Sequence, residues 1–143
     1  MREVVGTISA EPLDVVAAIA KVSTPDSGAV AVFIGTVRET SADDRRVVVL
    51  EYDTHPSLAA EKLQSIAEQA CVKWNLTKIV TIHRSGTCAV GDPTVVVACS
   101  SAHRAEALEA CHWVIDAIKD GVPIWKRELY EDGSSWIEPA SSS

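Results

Sequence analysis

The order of apolar and polar positions along the chain predicts strands and helices in a mixed series. Val4 to Ile8 reads as a short strand. Glu11-Pro12-Leu13 opens a helix to about Val22, with Pro12 suited to the first turn and Leu13, Val16, Ala17 and Ala20 on one face. Ser23 to Gly28 is turn material. Ala29 to Ile34 is an unbroken apolar run, the pattern of a strand covered on both faces. It ends in Gly35-Thr36-Val37-Arg38, where a glycine marks a bulge or a close approach by another backbone or a ligand. Glu39 to Arg46 is a polar loop, expected to be mobile.

Val47 to Asp53 returns as a strand, and Pro56 to Trp74 as a helix with Leu63, Ile66, Ala70 and Trp74 inward. Lys78 to Arg84 and Thr94 to Ser100 are strands, separated by a turn around Gly91-Asp92-Pro93. A third helix runs from about Ala102 to Asp120, with Gly121 as its cap and Pro123 forbidding continuation. Ile124 to Tyr130 and Trp136-Ile137 are strands joined by a turn at Asp132-Gly133. The expected fold class is α+β, a mixed, largely antiparallel sheet with packed helices. One domain spans 1–138, and 139–143 form a frayed C-terminal tail.

Composition narrows the class. The 143 residues can bury a core without staples, and 47% hydrophobic content excludes a disordered chain. No apolar run approaches the roughly 20 residues of a membrane span. Met1 to Gly6 lacks the plan of a secretory signal, so a cytoplasmic setting is expected. Cys71, Cys88, Cys99 and Cys111 form no C-x-x-C pair and have no histidine at metal-ligand spacing, which predicts small buried thiols. The formal charge of −7 disfavours nucleic acid and anionic membranes as partners. A local cationic cluster is therefore not a by-product of a basic surface.

Such a cluster lies between Ser100 and Glu128. Leu108, Cys111, Ile115 and Lys119 share one helical face, so Lys119 continues the stripe expected to pack on the sheet. Burial disfavours the ammonium and makes a neutral amine available as base or nucleophile. The alternative is a lysine that snorkels outward and complements the helix C-terminus. His103 and Arg104 sit in the first turn, where cations are unfavourable unless an anionic ligand offsets the repulsion. An Arg104 salt bridge and a packed His103 would serve equally well. Alternation puts Ile124, Lys126 and Glu128 on one strand face and Trp125, Arg127 and Leu129 on the other. Lys126 and Arg127 thus cannot both enter one pocket. No hydrolase triad motif, zinc spacing, Gly-rich phosphate loop or dinucleotide fingerprint is present. The residues describe a cofactor-free pocket for a phosphorylated or carboxylated molecule, with one or two reactive lysines.

The same residues resemble the large, catalytic subunit of molybdopterin synthase, over about Gly28 to Glu138. The landmarks are Gly28-Ala29-Val30 through Gly35-Thr36-Val37-Arg38, Ile82-His83-Arg84-Ser85-Gly86, Val90-Gly91-Asp92, Ser101-Ala102-His103-Arg104, and Lys119 followed by Pro123 to Glu128. The resemblance implies an α/β hammerhead domain, a central homodimer, and a small ubiquitin-like sulfur carrier bound to each copy in a heterotetramer. The carrier's C-terminal Gly-Gly thiocarboxylate would pass sulfur to cyclic pyranopterin monophosphate, building the dithiolene of molybdopterin without a metal or other cofactor. By the same resemblance Lys119 and Lys126 are the catalytic pair. His103, Arg104 and Arg38 hold phosphate and pterin, and Thr36, Val37, Arg127 and Glu128 belong to substrate-contact segments. Relatives often carry a basic residue where Thr36 stands, so one anion contact is expected to be missing or replaced by a hydroxyl. A non-catalytic module binding a ubiquitin-like tail or a phosphometabolite is the competing expectation, and a persulfide on Cys88 a third.

Overall fold

The computed structural model describes residues 3–140. Its elements are β1 (Glu3–Ser9), α1 (Val15–Val22), β2 (Ala29–Thr36), β3 (Val47–Thr54), α2 (Pro56–Lys73), β4 (Lys78–Arg84), β5 (Gly86–Ala89), β6 (Pro93–Ser101), α3 (Arg104–Gly121), β7 (Ile124–Tyr130) and β8 (Ser135–Pro139). The fold is α+β, but the strands divide into two sheets, ordered β1-β4-β6-β2 and β5-β3-β7-β8. Only the β1–β4 pairing is parallel among the named strands.

The first sheet is a layer between helices. Val95, Val97 and Cys99 of β6 enter the core shared with α2 and α3, while Val96 and Ala98 pack with Ala18 and Val22 of α1. The cover on both faces expected for Ala29–Ile34 therefore belongs to β6. β2 lies at the sheet edge, with Val30, Phe33 and Ile34 exposed at 41%, 37% and 41%. An apolar run records the side chains a strand carries but not its place in the sheet, and among the described residues β2 has a strand on one flank only. Its register with β6 breaks between Gly35 and Thr36. The expected bulge is therefore present, while the close neighbour is a side chain rather than a backbone or a ligand: a Cβ on Gly35 would stand 2.7 Å from Val95 Cγ1.

α1 begins later than Pro12, at Val15, where Asp14 Oδ1 accepts from Ala17 N at 2.9 Å. Ala18 and Val22 are its buried positions, whereas Val16, Ala17 and Ala20 are exposed, because Leu13, from which the expected face was counted, is buried but precedes the helix. α2 starts with Pro56 after His55, and Leu63, Ile66 and Ala70 point inward as expected. It grips the outer edge of β1: Gly6 N donates to Gln64 Oε1 at 2.8 Å, and Gln64 Nε2 donates to Val4 O at 3.1 Å. Gly121 is the last residue of α3 and Val122 its cap, donating to Ile118 O at 3.1 Å.

Two further expectations change. Gly86–Ala89, read as turn, is strand β5 on β3. Pro139, placed in the tail, pairs with Trp125, and Ala140 is buried, so the fold continues past 138 because β8 completes the second sheet. Residues 141–143 lie outside the described residues. The 39–46 loop closes on itself through a Thr40–Arg46 bridge and a 2.8 Å bond from Val47 N to Glu39 O. No helix among the described residues is long and apolar enough to cross a membrane.

Candidate active site

A cavity of about 460 Å³ opens where the two sheets meet. The end of β2 and the start of β6 form one wall, the last turn of α3 another, and the inner face of β3 and β7 the floor. Alternation along β7 holds as expected: Ile124 and Lys126 are buried, while Trp125 and Arg127 face the other side. Tyr52 on β3 lies directly across from Lys126, and Glu138 on β8 directly across on the opposite flank.

Lys126 is only 5% exposed, an expensive position for an ammonium unless it is compensated. Its Nζ lies 3.2 Å from Glu138 Oε1 and 3.8 Å from Glu128 Oε1. Lys119 lines the same cavity from the C-terminal turn of α3. The buried stripe of that helix is Ala107, Ala110, Cys111, Val114, Ile115 and Ile118. Leu108, expected on the stripe, is 60% exposed, so Lys119 stands at the stripe's margin, half-buried. Burial, and then the positive charge of Lys126, hold the Lys119 amine below the ordinary lysine range. Of the two readings of this side chain, the inward one is what the fold shows.

Thr36, Val37 and Arg38 reach the cavity through the chain beyond the bulge. Val37 is buried and its backbone is held on both sides, donating to Asp92 O at 3.1 Å and accepting from Gly91 N at 2.9 Å. That fixes the neighbouring Arg38 at the rim. Beneath the floor, Tyr52 meets the His83 ring edge-on at 4.8 Å. Burial pushes the His83 imidazole down to about 4, the Lys119 charge adding to this, while a 2.7 Å bond from Nδ1 to Arg84 O opposes it. His83 is thus a neutral, buried neighbour of the pocket at pH 7.

The structure brings together six of the expected residues: Thr36, Val37, Arg38, Lys119, Lys126 and Glu128. It leaves three outside this subunit's cavity. Arg127 lies on the outer face, its Nε 3.5 Å from Glu51 Oε2. His103 and Arg104 are exposed at the far end of α3, about 22 Å from Lys119 at 1.5 Å per residue. His103 is the N-cap residue but makes no side-chain capping bond. Tyr52, Thr40, Ser41 and Thr94 were not singled out from the sequence, yet they line the cavity. Alternation could have offered Tyr52, two residues beyond Leu50; nothing in the polar loop marked Thr40 or Ser41. Cys88 is fully buried on β5 with burial raising its thiol, which removes the exposed environment a persulfide carrier needs. Among the described residues no group of three or more His, Cys, Asp or Glu could hold a metal ion.

Residues 8–121 match the family model described as MoaE protein. A molybdopterin synthase catalytic subunit from Oryza sativa subsp. indica is 45% identical over 112 residues, covering 78% of this chain. The chain spans only 58% of that relative's length. The crystal structure of molybdopterin synthase from Staphylococcus aureus superposes with a TM-score of 0.85 at 34% identity, covering 93% of this chain and 96% of that one. A chain in the complex of subunits 1 and 2 of molybdopterin-converting factor from Helicobacter pylori has the same fold, with a TM-score of 0.69 at 23% identity over 88% of this chain and 85% of that one. With a family model spanning most of its length and relatives of this identity, the chain belongs to the MoaE protein family.

Proposed function

We propose that this protein is the catalytic subunit of a molybdopterin synthase, passing sulfur from the C-terminal thiocarboxylate of a small ubiquitin-like carrier to cyclic pyranopterin monophosphate. The observation that carries the reading is the convergence of Lys119 and Lys126 on one cavity with Arg38 at its rim. Two amines of unlike environment suit the chemistry: one moves a proton while the other stabilises negative charge developing on the attacked thioacyl group. Arg38 offers the planar fork that grips a phosphate. The chain's own groups supply these roles, so the reading assigns no metal or other cofactor. A cytoplasmic setting goes with a protein sulfur donor and with four buried, unbridged thiols.

The carrier subunit is the partner this reading requires, and the Helicobacter pylori assembly is a two-subunit complex containing a chain of this fold. A second copy of the chain is the other partner. The position of His103 and Arg104 supports it, since they can reach a Lys119 pocket only in a neighbouring copy. Antiparallel pairing across the open edge of β2 would set Ala29, beside Ser101 and the start of α3, against the Thr36 end of the neighbour.

A single-turnover reaction with purified thiocarboxylated carrier and the cyclic pterin tests the function. Stoichiometric dithiolene product is the expected result. Tight carrier binding without product would instead identify a non-catalytic module and overturn the proposal.

A further inference from the structure

The pocket holds two lysines, and the ion pairs of one of them, Lys126, are left unused by the sulfur-transfer reading. Lys126 sits in a row of cross-strand neighbours on the inner face of the second sheet: Tyr52 on β3, Lys126 on β7, Glu138 on β8. Glu138 Oε1 lies 3.2 Å from Lys126 Nζ, and Glu138 Oε2 accepts from the Trp136 indole Nε1 at 3.1 Å. The carboxylate therefore has one oxygen on a neutral donor of its own strand and the other on the ammonium. Glu128, two residues along β7, brings a second carboxylate oxygen to 3.8 Å. Lys119 shares the cavity with Lys126 from β7, Arg38 at the rim, and Glu128 and Tyr52 on the floor, with His83 behind it.

We propose that Glu138 is a positioning residue of this pocket: held by Trp136, its carboxylate fixes Lys126 as the permanent cation, which leaves Lys119 as the amine that gives and takes the proton. The inference rests on the sulfur-transfer reading for its chemical meaning, but the division of charge between the two lysines stands on the geometry. Cross-strand placement is what makes it work. Opposed residues on one sheet face keep their side chains within reach without long flexible loops, so the ion pair is set by register. Burial makes the pair consequential, because a desolvated ammonium that loses its carboxylate readily sheds its proton. Lys119 then meets a fixed positive neighbour, which favours its neutral form. In the reaction a neutral Lys119 can accept a proton, and Lys126 can stabilise the developing oxyanion without itself losing one.

The experiment reads amine reactivity in the full-length chain, independently of sulfur transfer. Brief reductive methylation with formaldehyde modifies neutral amines, and mass spectrometry quantifies each lysine. Lys119 is expected to be modified faster than Lys126 in the wild type. Glu138→Gln, close to isosteric, is expected to raise Lys126 modification about 10-fold, because the carboxylate charge beside the ammonium is lost. Ile137→Ala disturbs the same strand on its outer face and is expected to leave Lys126 at the wild-type level, which separates charge loss from a loosened edge. In the sulfur-transfer assay, Glu138→Gln is expected to lower kcat with KM within twofold and to move the alkaline limb of the rate profile to lower pH; Glu138→Asp partly restores both. Unchanged Lys126 reactivity in Glu138→Gln, a rise in Ile137→Ala as large as that in Glu138→Gln, or faster labelling of Lys126 than of Lys119 in the wild type would overturn the proposal. If wild-type protein transfers no sulfur while the labelling pattern appears as described, the functional reading falls and the assignment of charges stands.

Discussion

The two ends of α3 both carry cations, and they differ in everything else. At the C-terminal end Lys119 is half-buried, faces Lys126 across a cavity, and is held below the ordinary lysine range by burial and that neighbour. At the N-terminal end His103 and Arg104 stand in solvent, unenclosed by their own subunit. The difference teaches that residue type does not make a site; enclosure does. Exposed charges are screened and worth little, whereas the same charges beside a desolvated wall shift each other's protonation.

The largest expected effect breaks the enclosed end. Lys119→Ala is expected to slow single-turnover product formation by about 10²–10⁴-fold, the range for a lost proton-transfer group, with carrier binding retained in a pull-down. Full activity in that variant sinks the catalytic assignment. Arg104→Ala sharpens the contrast through mixing. Equilibrating inactive Lys119→Ala subunits with impaired Arg104→Ala subunits is expected to restore about a quarter of wild-type pockets if the exposed end serves a neighbouring copy, because half the dimers are mixed and each has one intact pocket. Activity equal to the mean of the parents would place Arg104 outside any pocket.

Acid stability tests the floor between the two ends. His83 has its imidazole held at about 4 against 6.5 when unfolded, so the unfolded chain binds the proton first as pH falls. Stability is then lost between about pH 6.5 and 4, by about 3 kcal/mol in all, and denaturant melts of His83→Gln are expected to be flatter across that window. Lys119→Met tests a pH dependence of the same sign in the alkaline range. The unfolded chain protonates Lys119 more readily than the folded one, so stability rises as pH climbs from the depressed value toward 10.5. The methionine variant is expected to melt higher at neutral pH and to be inactive. The smallest effect is at Arg127, whose outward ion pair with Glu51 is half-exposed: Arg127→Ala is expected to change activity and melting midpoint only slightly, consistent with a surface pair worth about 1 kcal/mol or less.

Much of this was legible in the sequence for identifiable reasons. The alternation Ile124-Trp125-Lys126-Arg127 separated the inward lysine from the outward arginine, since period 2 is imposed by the backbone wherever the strand lies. The glycine ending the apolar run located the bulge at Gly35, and helical spacing the inward face of α2. Other features were hidden. The partition into two sheets was not readable, nor was the edge position of β2, because both depend on which strands pair and the chain carries no local mark of its partners. α1 was misfaced because its period was counted from Leu13, which is buried but stands before the first helical turn.

The sequence by itself determined most of the elements, the glycine break and the side each β7 residue faces, for these follow from local sterics and periodicity. Only the tertiary structure decided that residues 38, 119, 126 and 138, far apart in the chain, share one neighbourhood while 103 and 104 do not. The reason is geometric: an 18-residue helix is stiff, so it keeps its two ends apart as firmly as register holds Glu138 against Lys126.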